Sequence, residues 1–228
     1  MTRSAAMLLM AVCGCGLAWS QPPRRIVSTA PMITETLFAL GLGSRVVGVS
    51  TYCHYPAETA RIPRVGTYLQ PAVEVIARLK PDLVIVERLP NSIRDQLASL
   101  KIRVVEVNTG NLRANLDAIL AIGRAAEADD QARTLVASIE GELKRLSERA
   151  RSLPRRSVAF VVGRNPGQLD GLIVVGGGSY LTELFQVAGG RNIFADSSQA
   201  YLKTSLESML RRNPDVLIDM GEMSETTG

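Results

Sequence analysis

Histidine is nearly missing from this sequence: its 228 residues include one, His54. A zinc or manganese site gathers several imidazole and carboxylate ligands on one ion, so no metal site is expected. Cysteine is almost as scarce. Of the three, Cys13 and Cys15 fall in the first twenty residues, leaving Cys53 as a lone thiol and no disulfide framework. Stability must then come from packing. Aromatic residues make up 4% of the chain, and none interleaves with the basic pairs Arg24-Arg25, Arg155-Arg156 and Arg211-Arg212. The net charge of +4 therefore reads as solvated surface rather than a nucleic-acid-binding face. The apolar stretch 5–12 is too short for a transmembrane helix, which takes about 20 residues.

That stretch follows Arg3 and reads as the core of an export signal. Ala18 and Ser20 offer the small residues of an ordinary cleavage site, so residues 1–20 are expected to be a signal peptide and the mature chain periplasmic. The alternative is Val12-Cys13-Gly14-Cys15 as a lipoprotein box, with a lipid anchor on Cys15.

What is present is ordinary globular material, 46% hydrophobic and 21% charged, with an internal echo. Tyr68, Glu74, Pro81, Asp82 and Ile85 recur 133 residues later as Tyr201, Glu207, Pro214, Asp215 and Ile218. A solenoid repeat falls near 20–50 residues, so this separation points instead to two similar lobes. Each copy reads as a loop bearing the tyrosine, a short helix, a Pro-Asp turn and a buried strand.

The first lobe alternates. The spacing predicts strands at 25–29, 46–49, 83–86 and 104–107, and helices after Pro31 and over 72–79 and 92–100. Such β-α order predicts a parallel sheet with helices on its faces. From 112 to 153 there is no strand signal. Leu135, Ile139, Leu143 and Leu146 keep one apolar face, flanked by charge. A helix over 130–152 spans about 35 Å at 1.5 Å per residue and suits a connecting strut. After Pro154 strands are expected at 158–162, 172–175 and 216–220, with helices at 180–187 and around 207–211. The fold class expected is α/β: two Rossmann-like lobes with parallel sheets joined by one long helix, a ligand cleft between them. The divisions are 24–110, 111–153 and 154–228. The second lobe lacks the further helix and strand that follow the matching strand in the first, so either a truncated sequence or a trimmed second lobe is expected.

Three stretches carry a family resemblance: RIVSTAPMITETLFALGLGSRVVGVSTYCHYP, VGTYLQPAVEVIARLKPDLVI and GGRNIFADS. Together, and in this order, they resemble the helical-backbone substrate-binding proteins of ABC importers, nearest to the cobalamin-binding members. The resemblance covers most of 24–220. It implies a monomer that captures cobalamin (vitamin B12) or a related corrinoid as transported ligand, without a cofactor, and hands it to a permease dimer in the inner membrane. It also implies that Tyr52, Tyr68 and Tyr201 line the cleft and meet the flat corrin ring, since a tyrosine offers an apolar face and a polar phenol. Glu74 and Glu207, one per lobe, match the carboxylates that dock onto permease arginines; charges at a rim steer docking and fix orientation.

There are departures. His54 stands where some cobalamin binders carry Asp, and is expected to be an exposed loop residue. Glu87 stands where a relative carries an aromatic contact. Haem-binding relatives place a ligating Tyr where Thr67 stands here, so haem fits less well than a corrinoid. A ferric siderophore is the runner-up, with Arg164 and Lys203 as charge donors, and the loop at Asn165-Pro166-Gly167 is a plausible cleft edge. An enzyme is not expected. VVGGGS at 174–179 precedes a helix and has the backbone to cradle phosphate, yet lacks a P-loop Lys-Ser/Thr; a tight strand-to-helix turn accounts for it better. Adjacent Cys53 and His54 seldom give nucleophile–base geometry.

Overall fold

The computed structural model describes residues 21–90 and 93–221. The export signal and Cys15 lie outside the described residues. Two sheets are formed. The first contains β1 (Ile26–Ser28), β2 (Val46–Val49), β3 (Leu83–Glu87) and β4 (Val104–Val107) in the order β2-β1-β3-β4, all parallel. The helices between them are α1 (Pro31–Ala39), α2 (Val73–Arg78) and α3 (Arg94–Ser99).

Period-two alternation explains why these strands sit in the middle of the lobe. Ile26, Leu83 and Ile85 face one way and pack with Ile33 and Leu37 of α1. Val27, Val84 and Val86 face the other and pack with Ile76 of α2 and Leu97 of α3. All but Val86, at 3%, are fully buried; each such side chain contributes roughly 1.5–3 kcal/mol.

Two helices, not one, fill the stretch after β4. α4 (Leu112–Ala126) starts at Asn111, whose side chain accepts from Ala114 N, and ends at Glu127 with φ 55°. The 22-residue α5 (Asp129–Ala150) follows. α4 contributes Leu116, Ile119 and Ile122 to the first lobe's core, and α5 adds Ala132 and Val136 from its first turns. Gly123 lets the pair close: a Cβ there would lie 2.3 Å from Ala132 Cβ. Farther along, α5 packs on α6 (Tyr180–Val187) of the second lobe. Leu135, Ile139 and Leu143 lie on its covered side, while Leu146 is 48% exposed.

The second sheet departs from expectation. It is mixed rather than parallel. β5 (Arg156–Gly163) pairs parallel with β7 (Gly190–Asn192) and β9 (Val216–Asp219), but antiparallel with β6 (Leu172–Val175), which in turn pairs antiparallel with β8 (Tyr201–Thr204). β5 reaches β6 through a tight turn at residues 164–171, and so short a connection returns the chain antiparallel. α7 (Leu206–Arg212) sends Met209 into the core beside Ala159 and Val161.

β9 overturns another expectation. The strand at 216–220 was expected to be buried, like its first-lobe counterpart; all four residues of β9 are exposed. Among the described residues β9 pairs with β5 alone. The letters match β3, but burial belongs to what packs on a strand, and β3 has strands on both edges and helices on both faces.

Candidate ligand-binding cleft

The first sheet changes winding direction between β1 and β3. In open α/β sheets that is where a crevice opens beyond the strands' carboxyl ends. A cavity of about 880 Å³ lies there. Ala30 and Pro31 after β1, Glu87 and Arg88 at the end of β3, and Asn108 and Thr109 after β4 form its first-lobe rim. Leu116 and Ile119 of α4 and Ile139 and Leu143 of α5 make an apolar floor. The second lobe closes it with Tyr180, Leu184 and Tyr201. The cavity is thus built from both lobes and the helices between them.

Local chemistry explains how Tyr180 and Tyr201 arrive together. Ser179, 3% exposed, caps α6 by accepting from Leu181 N at 3.3 Å, which makes Tyr180 the first helical residue. The three glycines before it admit another strand of chain at close range. Cβ atoms at Gly176, Gly177 and Gly178 would come within 2.3, 2.3 and 2.2 Å of the carbonyl oxygens of Gln199, Ala195 and Ser198. Gly176 N donates to Ala200 O at 2.9 Å and Gly178 N to Gln199 O at 3.1 Å. These donors are already used within the chain, so the loop is a packing turn and not a phosphate cradle. Segment 195–200, laid across it, delivers Tyr201 to the cleft opposite Val175.

Burial first, and then the neighbouring Tyr201 and Glu35, push the Tyr180 phenol above its ordinary pKa. It is therefore a neutral hydroxyl at physiological pH, able to donate and to accept. Glu35 stands on α1 in the other lobe and also lines the cavity. A second link between the halves is direct: Glu183 Oε1 of α6 accepts from Leu112 N at the start of α4, at 3.2 Å. A carboxylate at a helix N-terminus is favoured by the exposed N–H groups there.

Tyr52 and Tyr68 come together in the first lobe. Thr51 N donates to Gly66 O at 2.9 Å, tying their two loops. Arg64 Nη1 donates to the carbonyls of Ser50 and Cys53 at 3.1 and 2.8 Å and holds the Tyr52 loop. Thr67 Oγ1 accepts from Gln70 N at 2.9 Å and shapes the turn with Tyr68. The rings meet edge to face, 5.7 Å between centroids at 63°. Tyr68 lines a shallow recess with Leu69, Pro71 and Glu87 rather than the large cavity. Glu87 borders both spaces. Tyr201 lines the large cavity and Tyr68 does not, so the two are not facing jaws of it.

Tyr201 is also not a loop residue. It begins β8, whereas Tyr68 lies in a bend. Glu74 and Glu207 match better: each is the second residue of its helix, α2 and α7, and both are exposed. Glu207 pairs along its helix with Arg211 at 2.7 Å. His54 is exposed. Arg164 bonds Asp219 at 3.2 Å and Gln168 O, and it does not line the cavity. Lys203 does not line it either. Among the described residues no three His, Cys, Asp or Glu groups gather as a metal site, and no helix is long and apolar enough to cross a membrane.

Sequence reasoning passed over Glu35, Thr109 and Tyr180. Tyr180 had a usable signal: a glycine run and a capping serine placed it at a helix start beyond a strand end, where ligand-binding residues of α/β folds collect.

The profile of the periplasmic binding protein family matches residues 26–228. The vitamin B12-binding protein of Salmonella paratyphi A is 32% identical over 209 residues, 91% of this chain and 76% of that protein. Among solved structures, the periplasmic vitamin B12 binding protein of Vibrio cholerae superposes with a TM-score of 0.73 at 29% identity, covering 87% of this chain and 76% of that one. The periplasmic heme-binding protein of Roseiflexus, in its apo form, reaches 0.77 at 28% identity, with 86% and 76% covered. The two-lobed α/β architecture, the cleft between its halves and these matches together make this chain a member of the periplasmic binding protein family, a family of substrate-binding proteins.

Proposed function

We propose that this protein is the solute-binding component of an ABC importer and captures a corrinoid, cobalamin or a near relative, between its lobes in the periplasm. The observation that carries this reading is the cavity of about 880 Å³ shared by both lobes, with an apolar floor and hydroxyl-bearing rings on its second-lobe wall. A flat macrocycle with a polar edge fits that division: aliphatic surface receives its face, and phenols meet its side chains. The vitamin B12-binding relatives support the ligand class. Tyr201 and Tyr180 contact the ligand in the cavity, and Tyr68, with the Tyr52 ring against it, contacts whatever part reaches the smaller recess. Glu74 and Glu207 dock the loaded protein on the two permease subunits. The protein acts as a monomer, uses no cofactor and catalyses no reaction.

Haem capture is the second reading. The Roseiflexus relative favours it through its fold and 28% identity. The tyrosine that haem-binding relatives are expected to place at the position of Thr67 is lacking here, which weakens that reading. Calorimetry of the mature protein with cyanocobalamin, haem and a ferric hydroxamate decides between the readings. One-to-one, submicromolar binding of cyanocobalamin, with the others weaker, is the expected result. Tighter binding of haem or of the siderophore overturns the corrinoid assignment.

A further inference from the structure

The charged groups of the cleft have a consequence for what it admits. Three line it: Glu35 on α1, Glu87 at the end of β3, and Arg88 beside it. The two acids outnumber the one base, although the whole chain carries a net charge of +4. Glu87 is half-buried, and Thr109 Oγ1 donates to its Oε1, which fixes the carboxylate against the loop after β4. A carboxylate accepts about four hydrogen bonds, so one donor leaves most of that capacity for a ligand. Glu35 is exposed and lines the same cavity; its charge is the smallest influence raising the Tyr180 phenol, after burial and Tyr201. Asn108 and Asn115 supply the uncharged polar part of the lining.

We infer that Glu35 and Glu87 act as a charge filter. They accept hydrogen bonds from a ligand edge bearing N–H donors, such as primary carboxamides, and repel an edge bearing carboxylates. The inference rests on the reading of this cleft as the ligand site. A carboxylate placed beside Glu87 meets like charge in a site partly shielded from water, where such repulsion is screened less than at an open surface. It also sets acceptor against acceptor. An amide in the same place donates. The filter therefore works by penalising the wrong ligand as well as by holding the right one. Arg88 offsets one of the two negative charges, so the acid facing any one ligand group decides the outcome locally.

Two ligand pairs test this on the whole mature protein at pH 7. The first is cyanocobalamin and its monocarboxylate, in which one propionamide is hydrolysed. The second is haem and its dimethyl ester. In each pair the ligands share a ring and differ at the edge. The expected result is that the carboxylate member of whichever pair binds is weaker by about tenfold, the scale of one misplaced polar group. Glu87→Gln or Glu35→Gln should narrow that ratio, and high salt should narrow it further in the wild type. Ratios within one protein need no assumption about the variants' absolute affinity, and the wild-type comparison needs no variant. Equal affinity of both members in the wild type overturns the filter while leaving the cleft as ligand site. A ratio unchanged in both Gln variants overturns it too. If none of the four ligands binds, the cleft reading fails and the filter fails with it.

Discussion

Asp215 and Ser157 hold each other by three hydrogen bonds. Asp215 Oδ2 accepts from Ser157 N and from Ser157 Oγ, both at 2.7 Å, and Ser157 Oγ accepts from Asp215 N at 2.9 Å. The clip joins β9 to the start of β5. Asp82 does the same work in the first lobe, accepting from Arg24 N and Arg25 N at 2.8 and 3.0 Å beside β1. The recurring Pro-Asp is therefore a register device: each aspartate fastens the strand it precedes to the first strand of its own lobe.

A pH dependence follows. The Ser157 N–H, then its hydroxyl, hold the Asp215 carboxyl below the usual carboxylate range. A group with a lowered folded pKa stabilises the fold above its unfolded value, and that contribution is lost as pH falls through the folded one. Asp215→Asn should lower the urea midpoint at pH 7, and the gap to wild type should shrink as the solution is acidified below pH 4. A gap that stays constant down to pH 2 would mean the clip acts through shape rather than charge.

Lys80 and Asn213 occupy equivalent places after α2 and α7, and both are left-handed, with φ 46° and 43°. Asparagine tolerates that conformation and lysine does so poorly. Lys80→Gly should raise stability by about 0.5–1 kcal/mol, because Lys80 engages its neighbours through backbone atoms that glycine keeps. Equilibrium denaturation measures it. A loss of stability would show that the unfolded chain's added freedom outweighs the relieved strain.

Tyr201→Ala should weaken corrinoid binding by about 1–3 kcal/mol, the scale for removing a large aromatic contact. Tyr68→Ala should cost no more than that, since Tyr68 lies in the recess and partners Tyr52. Titration of both variants checks the order. Unchanged affinity in the Tyr201 variant would remove the ring contact from the proposal.

Glu74→Ala and Glu207→Ala leave the cleft untouched, so both should bind ligand like wild type while uptake into permease-bearing vesicles falls. The double variant should lose more than either single one. Normal uptake with both acids gone would assign docking to other surface residues.

The first lobe was legible because its strands are short apolar runs with helices between them, and period-two alternation does the rest. α5 was legible from Leu135, Ile139 and Leu143 at helical spacing. The second lobe was less so. An apolar run such as Leu-Ile-Val-Val at β6 carries no mark of its direction, and the antiparallel pairing comes from the length of the preceding turn. β8 begins Tyr-Leu-Lys-Thr, too polar and short to announce a strand; its partner β6 supplies the reason for it. The Tyr68–Tyr201 match was real as letters and as position along each lobe, but one tyrosine sits in a bend and the other in a ladder. Tyr180 escaped notice because cleft residues are chosen by where strands end, which periodicity does not report.

The 22 residues of α5 reach about 33 Å and touch both halves, and Glu183 adds a stitch to α4. A continuous helix twists and bends slightly but does not fold like a flexible linker. A helix of this kind would keep its two ends nearly aligned. Little orientational freedom is surrendered when a guest arrives, so capture can be tight without a large swing. Under the proposed docking through Glu74 and Glu207, such a rod would present the two acids to a permease at nearly one spacing, whatever the groove holds.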